Sequence, residues 1–264
     1  MKINNNRIKN ISTAFILAGG LGQRMESGLF PKSLIPIETI NILSDHLLKL
    51  KKLEIEKIFI SVNKDNQLLK KYLNDFSSLN LLDNITIIEE EVCGSGGSLQ
   101  NLLKKSKFNG LFICISVDSY FFFDYGELIH KFENDTFLVF KKYEEGRYCK
   151  DEFYNDNNLF CLAEKNKEKY CYAGLGIFDT ELLNKFNFEE KEFDMCEYFI
   201  RIAKQKKLKG LEADFPLFNL NNYKEVLTIN SLDKRITLSL GNIYFVFLYI
   251  SSFVNLLIFN FSQA

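Results

Sequence analysis

The chain has 264 residues, 47% of them hydrophobic and 25% charged, enough for one large domain with a well-buried core and too apolar for a disordered chain. A formal net charge of −1 excludes the strongly basic balance that drives non-specific nucleic-acid binding. Six cysteines, at 93, 114, 149, 161, 171 and 196, form no Cys-x-x-Cys pair and lie far in sequence from His46 and His130, which argues against zinc and for free thiols in a reducing cytosol.

The first residues are polar and basic, without the apolar stretch of a secretory signal, and 1–12 reads as an N-terminal arm. Strand and helix patterns then alternate. A buried strand is predicted over 15–18, an amphipathic helix over 40–53, a strand over 57–63 and a helix over 67–76. A strand over 84–89, a helix over 97–105 and a near-continuous apolar strand over 111–117 follow. This rhythm argues for an α/β domain whose mixed, mostly parallel sheet carries helices on both faces. Asp124 is expected to open a helix over 125–132. Beyond it, strands are predicted over 136–141, 153–164 and 170–178, and helices over 179–186 and 194–204. They read as a mixed-sheet subregion completing one domain, 13–235, with no linker and no internal repeat.

The stretch 236–264 has no charged side chain, and 243–261 is about long enough to span a bilayer as a helix, though Ser251, Ser252, Asn255 and Asn260 interrupt it. Three readings stand: a membrane-associated tail, a buried or dimer-forming terminal helix, or a foreign extension of the kind AT-rich DNA encodes in any frame.

Three places carry chemistry. The apolar run Ala14 to Ala18 feeds Gly19, Gly20 and Gly22, with Arg24 in the turn and Lys32 after Pro31. Glycines let backbone N–H groups approach phosphate oxygens, and two cations can neutralise a triphosphate. This turn is neither Gly-x-Gly-x-x-Gly nor the Walker pattern. In Cys93-Gly94-Ser95-Gly96-Gly97-Ser98-Leu99, glycines precede a helix whose N-terminus could meet a ligand, or Ser98 could simply cap it. Asp118 ends the apolar strand on the edge where open α/β sheets bind ligands, and a lone carboxylate there suits Mg²⁺ bridging phosphates.

In this order the motifs resemble those of the sugar-1-phosphate nucleotidyltransferases, the sugar-nucleotide pyrophosphorylases. Their opening signature, Leu-Ala-Gly-Gly-x-Gly-x-Arg-Met/Leu followed by Pro-Lys, is matched by Leu17, Ala18, Gly19, Gly20, Gly22, Arg24, Met25, Pro31 and Lys32. The family's Leu-Gly-Thr-Gly/Ala-Gly-Ala-Leu falls on Cys93 to Leu99, and its Gly-Asp on Val117-Asp118, with Val117 a departure. Its Glu-Lys-Pro falls on Glu164-Lys165-Asn166, and its Ala-Gly-Ile-Tyr-Val-Phe on Ala173 to Phe178. Asn219 stands where the family has a second metal-binding Asp.

The resemblance implies a Rossmann-like, GT-A-like nucleotidyltransferase fold with an apolar tail. It implies transfer from an NTP to a sugar 1-phosphate, with Mg²⁺, in the cytoplasm, and no nucleic-acid partner. Leu17, Ala18, Gly19, Gly20, Gly22, Ser95, Gly96 and Gly97 would bind the nucleotide. Arg24 would stabilise the leaving pyrophosphate and Lys32 the α-phosphate. Asp118 and Asn219 would hold the metal, and Glu164, Lys165 and Gly174 would bind the sugar phosphate. Short members resemble this chain most: heptose-1-phosphate guanylyltransferases and N-acetylmuramate-1-phosphate uridylyltransferases, which serve surface glycan or capsule synthesis. A molybdenum-cofactor guanylyltransferase is the alternative that Asn219-Leu220-Asn221 favours. A regulator without turnover is favoured by Val117 and Asn219 and opposed by Arg24, Lys32 and Asp118. Homo-oligomerisation is left open.

Overall fold

Alternate residues of the first strand, β1 (Thr13–Ala18), serve opposite layers: Ala14, Ile16 and Ala18 join one apolar cluster, Phe15 and Leu17 the other. A strand covered on both faces reads as an unbroken apolar run. The computed structural model describes residues 11–20, 31–37, 40–78, 84–131, 137–143, 152–186, 188–205, 208–213, 217–220 and 223–232. After β1 the strands are β2 (Pro36–Ile37), β3 (Ile40–Asn41), β4 (Lys57–Asn63), β5 (Ile85–Glu90), β6 (Leu111–Ser116), β7 (Ser119–Phe121) and β8 (Phe137–Lys142). They continue with β9 (Phe153–Asp156), β10 (Leu159–Leu162), β11 (Tyr170–Asp179), β12 (Lys209–Glu212) and β13 (Leu217–Asn219). The helices are α1 (Ile42–Lys52), α2 (Gln67–Ser78), α3 (Gly94–Ser106), α4 (Tyr125–Lys131), α5 (Thr180–Asn184), α6 (Cys196–Lys204) and α7 (Tyr223–Leu232).

The main sheet has nine strands in the order β5-β4-β1-β6-β11-β8-β12-β10-β9. Parallel pairing is confined to β5–β4–β1–β6 and to β8–β12; the other neighbours are antiparallel. The α/β class with helices on both faces holds, but "mostly parallel" is corrected to evenly mixed. On one face α1, α2 and α4 bring Leu43, Leu47, Leu69, Leu73 and Leu128 against Ile16, Ile60 and Ile115. On the other, α3, α5 and α6 bring Leu99, Leu102, Leu183 and Phe199 against Phe15, Phe112 and Phe178. A third cluster joins Ile35, Ile37, Tyr120 and Leu220 to Val226 and Ile229 of α7, so the last described helix ties the loop after β1 to the loop after β6.

Several expectations are corrected. The strand predicted over 153–164 is a hairpin, β9 and β10, with Asp156 opposite Leu159. Asn157 and Asn158 both adopt positive φ, 52° and 68°, the geometry a tight two-residue hairpin turn requires and asparagine tolerates. The helix expected from 97 begins at Gly94, because Gly94 takes φ 70° and turns the chain into it early. The last two predicted helices begin later, at Thr180 and Cys196, after Asp179 and Asp194, each of which accepts a backbone N–H two residues on. Asp124 does open α4, accepting from Gly126 N at 3.0 Å. Cys93, Cys114, Cys161 and Cys196 are free thiols, whereas Cys171 is disulfide-bonded. Sequence spacing does not reveal which cysteines a fold brings together. No helix among the described residues is long and apolar enough to cross a membrane, and the arm at 1–10 and the tail at 236–264 lie outside them.

Candidate active site

Three chain segments meet at the carboxyl ends of β1, β6 and β5, the edge where an open α/β sheet offers a crevice. Gly19 and Gly20 leave β1, Ser116 to Asp118 leave β6, and Val92 to Ser95 lead into α3; with Pro31 to Ser33 and Asn66 they line a cavity of about 290 Å³.

Each wall is fixed by local structure. Ala18 N donates to Ser61 Oγ of β4 at 3.2 Å and Val117 N to Leu17 O at 3.1 Å, which holds the end of β1 to β4 on one side and to the chain leaving β6 on the other. Gly19 leaves room for the Glu90 carboxylate: a Cβ there would lie 2.3 Å from Glu90 Oε1, so that side chain would have to shift. Gly20 faces open space. Lys32 begins a 3-10 turn, Lys32–Leu34, whose Ser33 and Leu34 are buried and which closes through Leu34 N on Pro31 O at 2.9 Å. Lys32 Nζ stands 3.8 Å from Asp118 Oδ2 across the cavity. Gly22, Arg24 and Met25 lie outside the described residues.

The glycines of α3 serve two ends. Gly94 and Ser95 line the cavity, while Gly96 and Gly97 do not. Their N–H groups donate to Phe193 O at 3.0 and 3.3 Å, and a Cβ at Gly96 would meet the Phe193 ring at 2.4 Å. These two glycines admit the segment before α6 instead of facing a ligand. Ser95 Oγ accepts from Met195 N at 2.9 Å. Ser98 lies inside α3, whose N-cap is Cys93, and does not cap it.

Two buried groups that sequence reasoning missed stand behind the walls. Ser98 donates to Glu90 Oε1, while Oε2 is buried with no hydrogen-bond partner among the described residues. Burial raises the Glu90 pKa despite the Ser98 bond. Glu90 shares its strand face with buried Ile88, and that period of two was the available signal. His46 of α1 is fully buried; its Nδ1 lies 2.5 Å from Tyr125 Oη and its Nε2 3.3 Å from Val117 O. Burial, helped by Lys49, lowers its pKa to about 3, so the ring is neutral. The Nε2–H then donates to the carbonyl before Asp118, and Nδ1 accepts from the tyrosine.

The second-half residues form a separate group. Gly174 has φ 88° in a bulge of β11, where a Cβ would come 2.0 Å from Ser119 Oγ. Asn219 of β13 pairs with Ser119 of β7; its Nδ2 donates to Ser119 Oγ at 2.9 Å and its Oδ1 accepts from Lys141 Nζ at 2.5 Å. Leu220 N donates to Asp118 O at 2.7 Å, which joins this group to the cavity wall. Glu164 and Lys165 sit exposed in the turn between β10 and β11 and do not line the cavity. Asn166, where the resembling family has proline, adopts φ 76°, which a proline ring locked near −65° cannot reach.

For a divalent cation, Asp118 fits: a half-exposed carboxylate at a strand end can hold Mg²⁺ that takes its other ligands from phosphates and water. Asn219 does not fit as a second ligand, because its oxygen already accepts from an ammonium. The described residues contain no cluster of three or more His, Cys, Asp or Glu able to hold a metal.

The family model of the MobA-like NTP transferase domain matches residues 14–159. No curated protein matches the chain. Among solved structures it is similar to a Bacillus anthracis protein named as a glucose-1-phosphate thymidylyltransferase, with TM-score 0.74 and 16% identity over 87% of this chain and 98% of that one. The inositol-1-phosphate CTP transferase from T. maritima gives 0.66 and 16% over 87% and 99%. HddC from Yersinia pseudotuberculosis, complexed with GMP-PN, gives 0.61 and 18% over 84% and 99%. At these identities the likeness shows a shared fold.

Proposed function

The chain belongs to the MobA-like NTP transferase domain family and is a nucleotidyltransferase, and from that premise we propose that it joins an NTP to a sugar 1-phosphate, giving an NDP-sugar and pyrophosphate. The observation that carries the reading is Lys32 facing Asp118 at 3.8 Å across a cavity floored by Gly19 and Gly20.

A phosphate oxygen of the sugar 1-phosphate attacks the α-phosphorus in line. The bond from the α-phosphorus to the oxygen bridging to the β-phosphorus breaks, and its electron pair leaves with pyrophosphate. No proton needs a protein base, since the attacking oxygen is already anionic. Lys32 neutralises the α-phosphate as charge builds. The backbone of Gly19 and Gly20, unobstructed on the Gly20 side, lets the phosphates approach closely. Arg24 stabilises the leaving pyrophosphate and Lys165 meets the acceptor, both by the family resemblance. Asp118 would hold Mg²⁺, which when bound neutralises phosphate charge.

The short-form resemblance favours GTP and a heptose 1-phosphate, for a surface glycan or capsule precursor, in the cytoplasm. The domain is read as 13–235, with 236–264 an apolar tail at the inner membrane face. A second reading, guanylyl transfer to a molybdenum cofactor, is favoured by Asn219 and by the MobA-like family model. Pyrophosphate release across a panel of NTPs, sugar 1-phosphates and molybdopterin separates them. Release with a sugar 1-phosphate supports the first reading; release with molybdopterin alone replaces it.

A further inference from the structure

Val117 and Asp118 line the cavity from the short turn between β6 and β7. A carboxylate on such a turn points where its backbone points it, so the bonds that fix the turn decide where a cation can sit. Two of them are backbone bonds: Val117 N donates to Leu17 O at 3.1 Å, and Leu220 N donates to Asp118 O at 2.7 Å. The third is not. The carbonyl that directly precedes Asp118, Val117 O, is held by a side chain, His46 Nε2 at 3.3 Å.

His46 is fully buried and shares its face of α1 with Leu43 and Leu50. A carbonyl only accepts, so Nε2 must carry the hydrogen, and Nδ1 accepts from Tyr125 Oη at 2.5 Å. Tyr125 is itself fully buried at the start of α4, so the ring is clamped at both ends. One turn further along α1, Lys49 donates to Asp45 at 2.7 Å and also to Phe121 O. Helix α1 therefore grips the chain on both sides of Asp118, at 117 and at 121. His46 does not line the cavity and no step of the reaction uses it. A polar ring costs desolvation in an apolar layer, and these two hydrogen bonds are what offsets it.

We infer that His46 is a positioning residue for Asp118: by holding the Val117 carbonyl it sets the direction in which the carboxylate enters the cavity. The inference rests on the proposed role of Asp118 in holding Mg²⁺. Leucine at 46 would fill the space and release the carbonyl. Glutamine would keep a donor, because its amide nitrogen reaches about as far from the backbone as Nε2 does.

Mn²⁺ affinity of the full chain decides it, read by electron paramagnetic resonance with whichever of the common NTPs the parent binds most tightly. Asp118→Asn and His46→Leu should each weaken Mn²⁺ about tenfold or more, and His46→Gln should stay within about threefold of the parent. Leu47→Val, a core change on the same helix, should stay within about twofold. Adding His46→Leu to Asp118→Asn should cost nothing further, because no carboxylate is left to aim. Parent-like affinity in His46→Leu, or the same loss in His46→Gln or Leu47→Val, would overturn the inference. In the parent, long-range ¹⁵N–¹H correlation should show His46 protonated on Nε2. Protonation on Nδ1 alone would overturn the inference without any variant, and so covers the case in which His46→Leu does not fold. If Asp118→Asn leaves Mn²⁺ affinity unchanged, the metal reading of Asp118 fails and takes the positioning role with it. Loss in Asp118→Asn without loss in His46→Leu fails the inference alone.

Discussion

Lys32 and Asp118 face each other at 3.8 Å although one follows β1 and the other follows β6. Their side chains keep 14% and 32% of their surface in solvent, so neither charge is sealed into the core. Removing either should therefore spare the fold and remove the chemistry. Lys32→Ala and Asp118→Ala are each expected to lower kcat about 10²-fold or more. Their thermal melting should stay close to that of the parent. Parent-like turnover in either variant would remove that residue from the mechanism.

Gly19 and Gly20 should respond differently to the same change. A methyl at Gly19 collides with the Glu90 carboxylate, whereas at Gly20 it meets nothing within 4 Å. Gly19→Ala is expected to cost about 1–3 kcal/mol in urea unfolding. Gly20→Ala should stay within about 0.5 kcal/mol. Equal stabilities would contradict the packing described for the turn.

Glu90 should make the protein less stable as pH rises. Burial raises its folded-state pKa above 4.5, so between 4.5 and that raised value the folded chain binds the extra proton. Its stability contribution is complete below 4.5 and is lost as pH climbs through the folded value. Glu90→Gln keeps an acceptor for Ser98 and removes the charge. It should be more stable than the parent at about pH 7.5, with the advantage shrinking towards pH 4.5. A variant less stable than the parent at neutral pH would show that the carboxylate is needed for folding.

His46 titrates in the opposite sense. Its folded-state pKa, about 3, lies below its usual 6.5, so the unfolded chain takes up the proton first. The neutral ring's contribution is whole above 6.5 and is lost as pH falls towards 3. In the native protein the His46 imidazole resonances should show no titration between about pH 8 and pH 5. A midpoint near 6.5 would mean that the ring is not held between Tyr125 and Val117.

The parallel half of the sheet was legible because both its faces are buried: β1 and β6 read as unbroken apolar runs, and the glycines and Asp118 follow them directly. Position along the chain therefore predicted position at the cavity. Legibility fails where side chains meet from distant strands. Lys141 is one of 33 lysines and arginines and has no local signature; it meets Asn219 only because β8 pairs with β11 and β13 with β7. Gly96 and Gly97 look like ligand-facing glycines, yet they are small because Phe193 and Lys191 pack on them. The Asn157-Asn158 turn was masked by the apolar residues of the hairpin's two short strands on either side.

The central claim, that the pair Lys32 and Asp118 activates an NTP for transfer to a sugar phosphate, is tested most directly by following the α-phosphate. With an NTP labelled there and the best acceptor from the panel, the account predicts label in an NDP-sugar, mole for mole with pyrophosphate. It also predicts that Lys32→Ala and Asp118→Ala abolish both products together. Label released only as free nucleotide, or transfer undiminished in both variants, would contradict it.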